Sequence, residues 1–168
     1  MFKFFKKKES PAKIADRIQV ETQELFKEIG IIPTLAEMHK AALHGHCSDS
    51  ECNDLALGAY RTLILAAGVV RYRMIRETGD EEAADSLANS FSESSGLSNI
   101  IEMILETVPF NKEELRAVTG EANFLFQAAT LVDRTSRNKQ FKVTYELWKT
   151  CAKGQYIEIP RVYGGISA

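Results

Sequence analysis

LALGAYRTLILAAGVV, residues 55–70, is the stretch on which the fold turns. It is apolar on nearly every side when wound at 3.6 residues per turn, the mark of a helix enclosed by others. It is not a membrane span: Arg61 sits inside it, Arg71 follows it, and a span needs about 20 apolar residues. Upstream, Ser48-Asp-Ser-Glu51 has the form of a capping box, with a hydroxyl for one free amide and a carboxylate for another. The central helix therefore starts at Ser48 and runs to about Glu77. Gly58, Ala59, Ala66, Ala67 and Gly68 keep its surface shallow, which lets neighbouring helices cross closely.

The flanking segments read as helices too. Ser10-Pro11 supplies an N-cap and a first helical residue, and Ile14, Ile18, Thr22, Leu25 and Ile29 follow at helical spacing up to Gly30. Pro33 opens a second helix that Gly45 closes. Beyond Gly79-Asp80 a weaker helix spans 80–91 and passes into SFSESSG, which reads as a loop. Asn99 starts another short helix, ended by Pro109. Asn111 caps a helix predicted to continue to about Thr135, with ANFLFQAATLV as its buried part. Segment 139–153 is ambiguous. Phe141, Val143, Tyr145 and Leu147 alternate like a strand, while Phe141, Tyr145, Trp148 and Ala152 share a helical face that Gly154 would end. The helix is favoured, because a lone strand has no partner elsewhere; a hairpin of 140–148 with 155–160 is the alternative.

The expectation is an all-α fold, an irregular bundle of six or seven helices with 48–77 and 111–135 as the central pair. Three stretches follow: a basic-aromatic N-terminal tail (1–10), a single helical domain (11–154) and an extended C-terminal tail (155–168). With 168 residues, 45% of them hydrophobic and 26% charged, the chain can bury one core without disulfides. That composition excludes general disorder, collagen and a disulfide scaffold.

Charge narrows the function classes. The net charge is −2, which does not make a nucleic-acid surface, and no nucleic-acid partner is expected. Residues 1–13 carry a net +4, because Lys3, Lys6, Lys7, Lys8 and Lys13 stand against Glu9 alone. Phe2, Phe4 and Phe5 lie among Lys6, Lys7 and Lys8, so this segment is a candidate contact for an anionic membrane surface. A solvated start to the chain is the plainer reading. The odd count of 3 cysteines and the absence of a secretory signal point to a reducing, cytoplasmic setting, with the inner membrane surface as the option the tail opens.

His39, His44, His46, Cys47 and Cys52 gather the strongest metal-ligand chemistry of the chain into one short stretch. His44, His46, Cys47 and Cys52 would give zinc two imidazoles and two thiolates, with His39 in reserve. Their spacing matches no standard finger or ribbon. With Ser48 as N-cap, moreover, Cys47 and Cys52 fall on the two positions of a hydrophobic staple, which needs no metal. Arg71, Arg73 and Arg76 close the long helix, and Arg134, Arg137 and Lys139 close a later one. Each set complements a helix dipole; the two together would form a basic, anion-binding face if the ends meet. Glu121, among Val118, Ala122 and Leu125, is the one acid that reads as semi-buried.

No Glu-x-x-His pair, P-loop, GxGxxG, GxSxG or HExxH occurs, and the clustered histidines leave no arguable catalytic triad. No catalytic residue and no cofactor is assigned. The leading expectation is a non-enzymatic protein-interaction or regulatory module that binds another protein through an apolar groove or its C-terminal tail. Tyr156, Ile157, Ile159 and Tyr163 are the candidate contacts, and a homodimer is a further option. A zinc-type sensor or metalloprotein and a peripheral membrane protein are the alternatives.

Overall fold

A computed structural model of the chain describes residues 8–155. Among these residues the fold is all-α, as the periodicity predicts. The helices are α1 (Pro11–Glu28), α2 (Ile31–Leu43), α3 (Asp49–Thr78), α4 (Glu81–Ser94), α5 (Gly96–Thr107), α6 (Lys112–Val118), α7 (Ala122–Arg137) and α8 (Phe141–Ala152). A single 3₁₀ turn, Thr119–Glu121, joins α6 to α7.

The long central helix forms as its cap dictates. Ser48 Oγ accepts the Glu51 amide at 3.2 Å, and the Glu51 carboxylate takes the Ser48 amide at 2.6 Å. From that start α3 runs about 45 Å at 1.5 Å per residue. It touches each of the other seven α-helices, most extensively α7 and α4. Leu65, Ala66, Val69 and Val70 are fully buried in its middle. Among the described residues α3 is the one helix long and apolar enough to cross a membrane, but 67% of the apolar window is buried by its neighbours. The apolar run is thus accounted for by the bundle itself.

The small residues act as their size suggests. A Cβ on Gly68 would lie 2.8 Å from Ala129 Cβ and 2.8 Å from Phe126 Cδ1, so α7 seats directly on the α3 backbone. Gly58 gives α8 similar access, with the Ala152 carbonyl 3.2 Å from where its Cβ would be.

Two sequence expectations are corrected. SFSESSG is not a loop: α4 continues through it to Ser94. Ala84, Leu87, Ala88 and Phe91 form one buried stripe, and Phe91 anchors it at 1% exposure. The serines satisfy the backbone instead of breaking it. Ser92 and Ser94 donate to the carbonyls of Ala88 and Ser90, and Ser95 caps the start of α5 by accepting the Ser98 amide at 3.0 Å. The helix expected over 111–135 is likewise split. Thr119 Oγ1 donates back to the Arg116 carbonyl at 2.6 Å, and Gly120 adds the lowest helix propensity after proline. The chain takes the tighter 3₁₀ turn there and resumes as α7. The ambiguous segment 139–153 is the helix α8.

Candidate functional site

The bundle carries a cleft of about 510 Å³ between α2, the N-terminal half of α3, and α8. Its floor is apolar: Leu35 and Met38 from α2, Leu55 and Gly58 from α3, Trp148 and Ala152 from α8. Charged residues stand at its edges, Glu51 and Asp54 on α3, Lys149 and Lys153 on α8. Local sequence explains each wall. Gly30, at φ 93°, breaks α1 from α2 and lets α2 fold back. The Ser48 cap fixes where α3 begins. Gly58 admits α8 close enough for the Trp148 indole to donate to Thr62 Oγ1 at 2.8 Å.

The polar groups that line the cleft are held by the protein's own partners. Thr34 Oγ1 donates to the Gly30 carbonyl at 2.7 Å and lies 3.0 Å from the Tyr145 hydroxyl. Arg61 grips Glu121 with two parallel bonds, Nε to Oε2 at 2.9 Å and Nη2 to Oε1 at 3.1 Å, and gives Nη1 to the Ala152 carbonyl at 3.2 Å. Among the described residues no buried side-chain polar atom lacks a hydrogen-bond partner. The cleft therefore offers shape and apolar surface, with charge reserved for the rim.

The histidines and cysteines differ in burial. His39 is buried on the inner face of α2, with Nε2 2.6 Å from Thr107 Oγ1 on α5. The Thr107 hydroxyl also lies 2.8 Å from the Met103 carbonyl of its own helix. His44 and His46 are exposed, their ring centroids 6.1 Å apart. Cys47 is half-buried at the cleft, and Cys52 is buried one turn into α3. Burial pushes the Cys52 thiol up, helped by the neighbouring Cys47, Asp49 and Glu51 charges. Among the described residues no three His, Cys, Asp or Glu side chains are arranged to hold a metal ion.

The arginine clusters do meet. The ends of α3 and α7 come together at Asp133, which is fully buried. Its Oδ1 accepts Arg73 Nε at 2.7 Å; its Oδ2 accepts Arg76 Nη1 at 2.5 Å and Arg137 Nε at 2.9 Å. Arg71 turns away to Asp85 on α4. The arginines at the two helix ends thus share one buried carboxylate, with Arg76 and Arg137 still partly exposed. Asp133 carries no such signal in the sequence, where it reads as one more acid near a helix end. Its burial follows from Ala129, Val132 and Ser136 sharing its face of α7.

Phe2, Phe4, Phe5, Lys6 and Lys7, proposed for a membrane surface, lie outside the described residues, as do Tyr156, Ile157, Ile159 and Tyr163; Lys8 is exposed just before α1. Comparison with known protein families, with curated proteins and with solved structures gives no match.

Proposed function

We propose that this chain is a non-enzymatic helical interaction module whose α2–α3–α8 cleft receives an apolar segment of a partner protein. The observation that carries this reading is the pairing inside the cleft. Thr34, Tyr145, Arg61 and Trp148 already spend their hydrogen bonds on the protein itself. A site built to turn over a polar substrate needs convergent groups aimed into the cavity. Here the charged groups stand on the rim.

The rim specifies the partner further. Glu51 and Asp54 suit a basic residue at one end, and Lys149 and Lys153 suit an acidic one at the other. Between them the floor takes two or three aliphatic or aromatic side chains. Each fully buried side chain contributes about 1.5–3 kcal/mol, and association itself consumes much of the sum. Micromolar or weaker binding follows, the range of a transient signalling contact.

Twelve-residue peptides selected by phage display against the full-length protein provide the test. Met38 lines the cleft at 43% exposure, so Met38→Glu changes its lining without disturbing the core. Val20, 63% exposed on α1 and outside the cleft, provides the control Val20→Glu. Selected peptides should be aliphatic or aromatic with flanking charge, and should lose about tenfold or more in affinity for Met38→Glu alone. Equal affinity for both variants would contradict the proposal.

A further inference from the structure

We infer that the end of the bundle where α3 and α7 finish carries a second site, in which Arg76 and Arg137 together bind a phosphate group. The site is independent of the cleft. From Gly58 on the cleft floor to Arg76 is about 27 Å along α3.

Topology brings the two guanidiniums together. Arg61 meets Glu121, Gly68 meets Ala129 and Arg73 meets Asp133, so α3 and α7 run parallel and end on the same side of the molecule. Arg76 and Arg137 then donate to a single oxygen, Asp133 Oδ2, at 2.5 and 2.9 Å. Two planar cations that share one acceptor atom stand side by side. Each spends one N–H there. Among the described residues no other acceptor meets either guanidinium. Both side chains reach solvent, Arg137 more than Arg76.

Charge at this end does not balance. Arg73 is the third cation on Asp133, so three guanidiniums face one buried carboxylate. The C-terminal dipoles of α3 and α7 supply about half a negative charge each, which leaves about one positive charge over. The other acids nearby are engaged elsewhere. Glu77 and Glu9 both bond Arg17 on α1. Asp85 bonds Arg71, about 140° around α3 from Arg76. Between Asp133 and Gln140 the charged residues are Arg134, Arg137 and Lys139, all basic.

The pair is also held in place before any ligand arrives. Arg137 reaches Asp133 one turn back on its own helix, and the Arg76 guanidinium lies 5.8 Å from the centroid of the Tyr72 ring. Fixed donors lose little freedom on binding. Their outward N–H groups suit a ligand that offers several oxygens at once. A phosphate group does so and accepts from both arginines, whereas a carboxylate is filled by one bidentate arginine.

The test is a titration of the full-length protein with inorganic phosphate at neutral pH, against sodium chloride of equal ionic strength, read on the arginine Nε–Hε resonances. Arg76 and Arg137 should shift along one saturable curve with a Kd of about 1–10 mM, and chloride should leave them in place. Arg137→Ala, at the exposed edge of the network, should weaken phosphate binding about tenfold as followed at Arg76. Arg137→Lys keeps the charge without the planar fork and should fall between the two. Arg116→Ala removes the same charge from an exposed position on α6 and should bind like wild type. Shifts that do not saturate, or equal affinities in Arg137→Ala and Arg116→Ala, would overturn the inference. Sedimentation with phosphatidylcholine vesicles, with and without phosphatidic acid, then separates the sources of the phosphate. Co-sedimentation that needs phosphatidic acid and is lost in Arg137→Ala alone assigns the site to a lipid headgroup. Saturable phosphate binding without it assigns the site to a free phosphate.

Discussion

Arg73 and Asp133, sixty positions apart on α3 and α7, meet through a 2.7 Å bond from Nε to Oδ1 inside the protein. The carboxylate is fully buried, while the side chains of Arg73, Arg76 and Arg137 are 10%, 33% and 46% exposed. One acid thus ties the ends of the two central helices together by accepting from three arginines.

Asp133→Ala should be the most damaging single change in this network. Removing one partner from a buried pair costs about 3–5 kcal/mol, because the remaining charge stays desolvated. For a chain of this size that corresponds to a fall in Tm of roughly 6–20 °C. Arg137→Ala, at the exposed edge, should cost about 1 kcal/mol or less. Thermal melts of the two variants check the ranking, and comparable losses would show that Asp133 is not the hub.

Gly68→Ala should destabilise although alanine is the better helix former. The new methyl would meet Ala129 and Phe126 at 2.8 Å, and overpacking costs about 1–3 kcal/mol against a propensity gain of about 1 kcal/mol. Ala129→Gly in the same protein should recover part of the loss. Additive losses in a chemical-denaturation cycle would mean that the two helices do not touch there.

Much of this architecture is written in local sequence. The Ser48 cap, the apolar run over 55–70 and the glycine stops at Gly30, Gly79 and Gly154 act over a few residues and read directly. What sequence hides is the choice between partners. The serines of SFSESSG favour a loop by composition, yet tertiary burial of Phe91 keeps them helical. Gly120 lies inside a helical pattern, where a single glycine is often tolerated, so the break into the 3₁₀ turn does not read from it. The histidine–cysteine cluster stands out in sequence because its members are adjacent. In the fold His39 turns inward to Thr107, and Cys52 packs one turn into α3. The cleft had no sequence signal, since α2, α3 and α8 supply it from distant segments.

Acidification should release a further contact. The Arg17 guanidinium bonded to Glu77 at 3.2 Å holds that carboxyl below the usual glutamate range. A depressed folded value means stability that is present above the unfolded pKa, about 4.3, and lost as pH falls through the folded one. Glu77→Gln should therefore melt below wild type at pH 7, by about 1 kcal/mol at most for a pair this exposed, and approach it below pH 4. A difference that does not change with pH would reject the pairing.

Thiol chemistry should be ordered by burial. Desolvation pushes Cys151 up to about 11 and raises Cys52 as well, so neither forms thiolate readily at neutral pH. In the folded protein maleimide should reach Cys47 first, and denaturant should equalise the three. Zinc at equimolar concentration should leave this order and the Tm unchanged. Zinc protection of Cys52 and Cys47 together would instead place a metal at the start of α3.

The docking cleft is tested most directly by amide and indole NMR shifts of the full-length protein titrated with a phage-selected peptide. The single tryptophan of the chain, Trp148, lines the cleft, so its indole resonance is an unambiguous reporter. The account predicts that it shifts together with Met38, Ala41 and Ala152 while the Asp133 network stays still. Shifts concentrated on α4 and α5, with Trp148 unmoved, would contradict it.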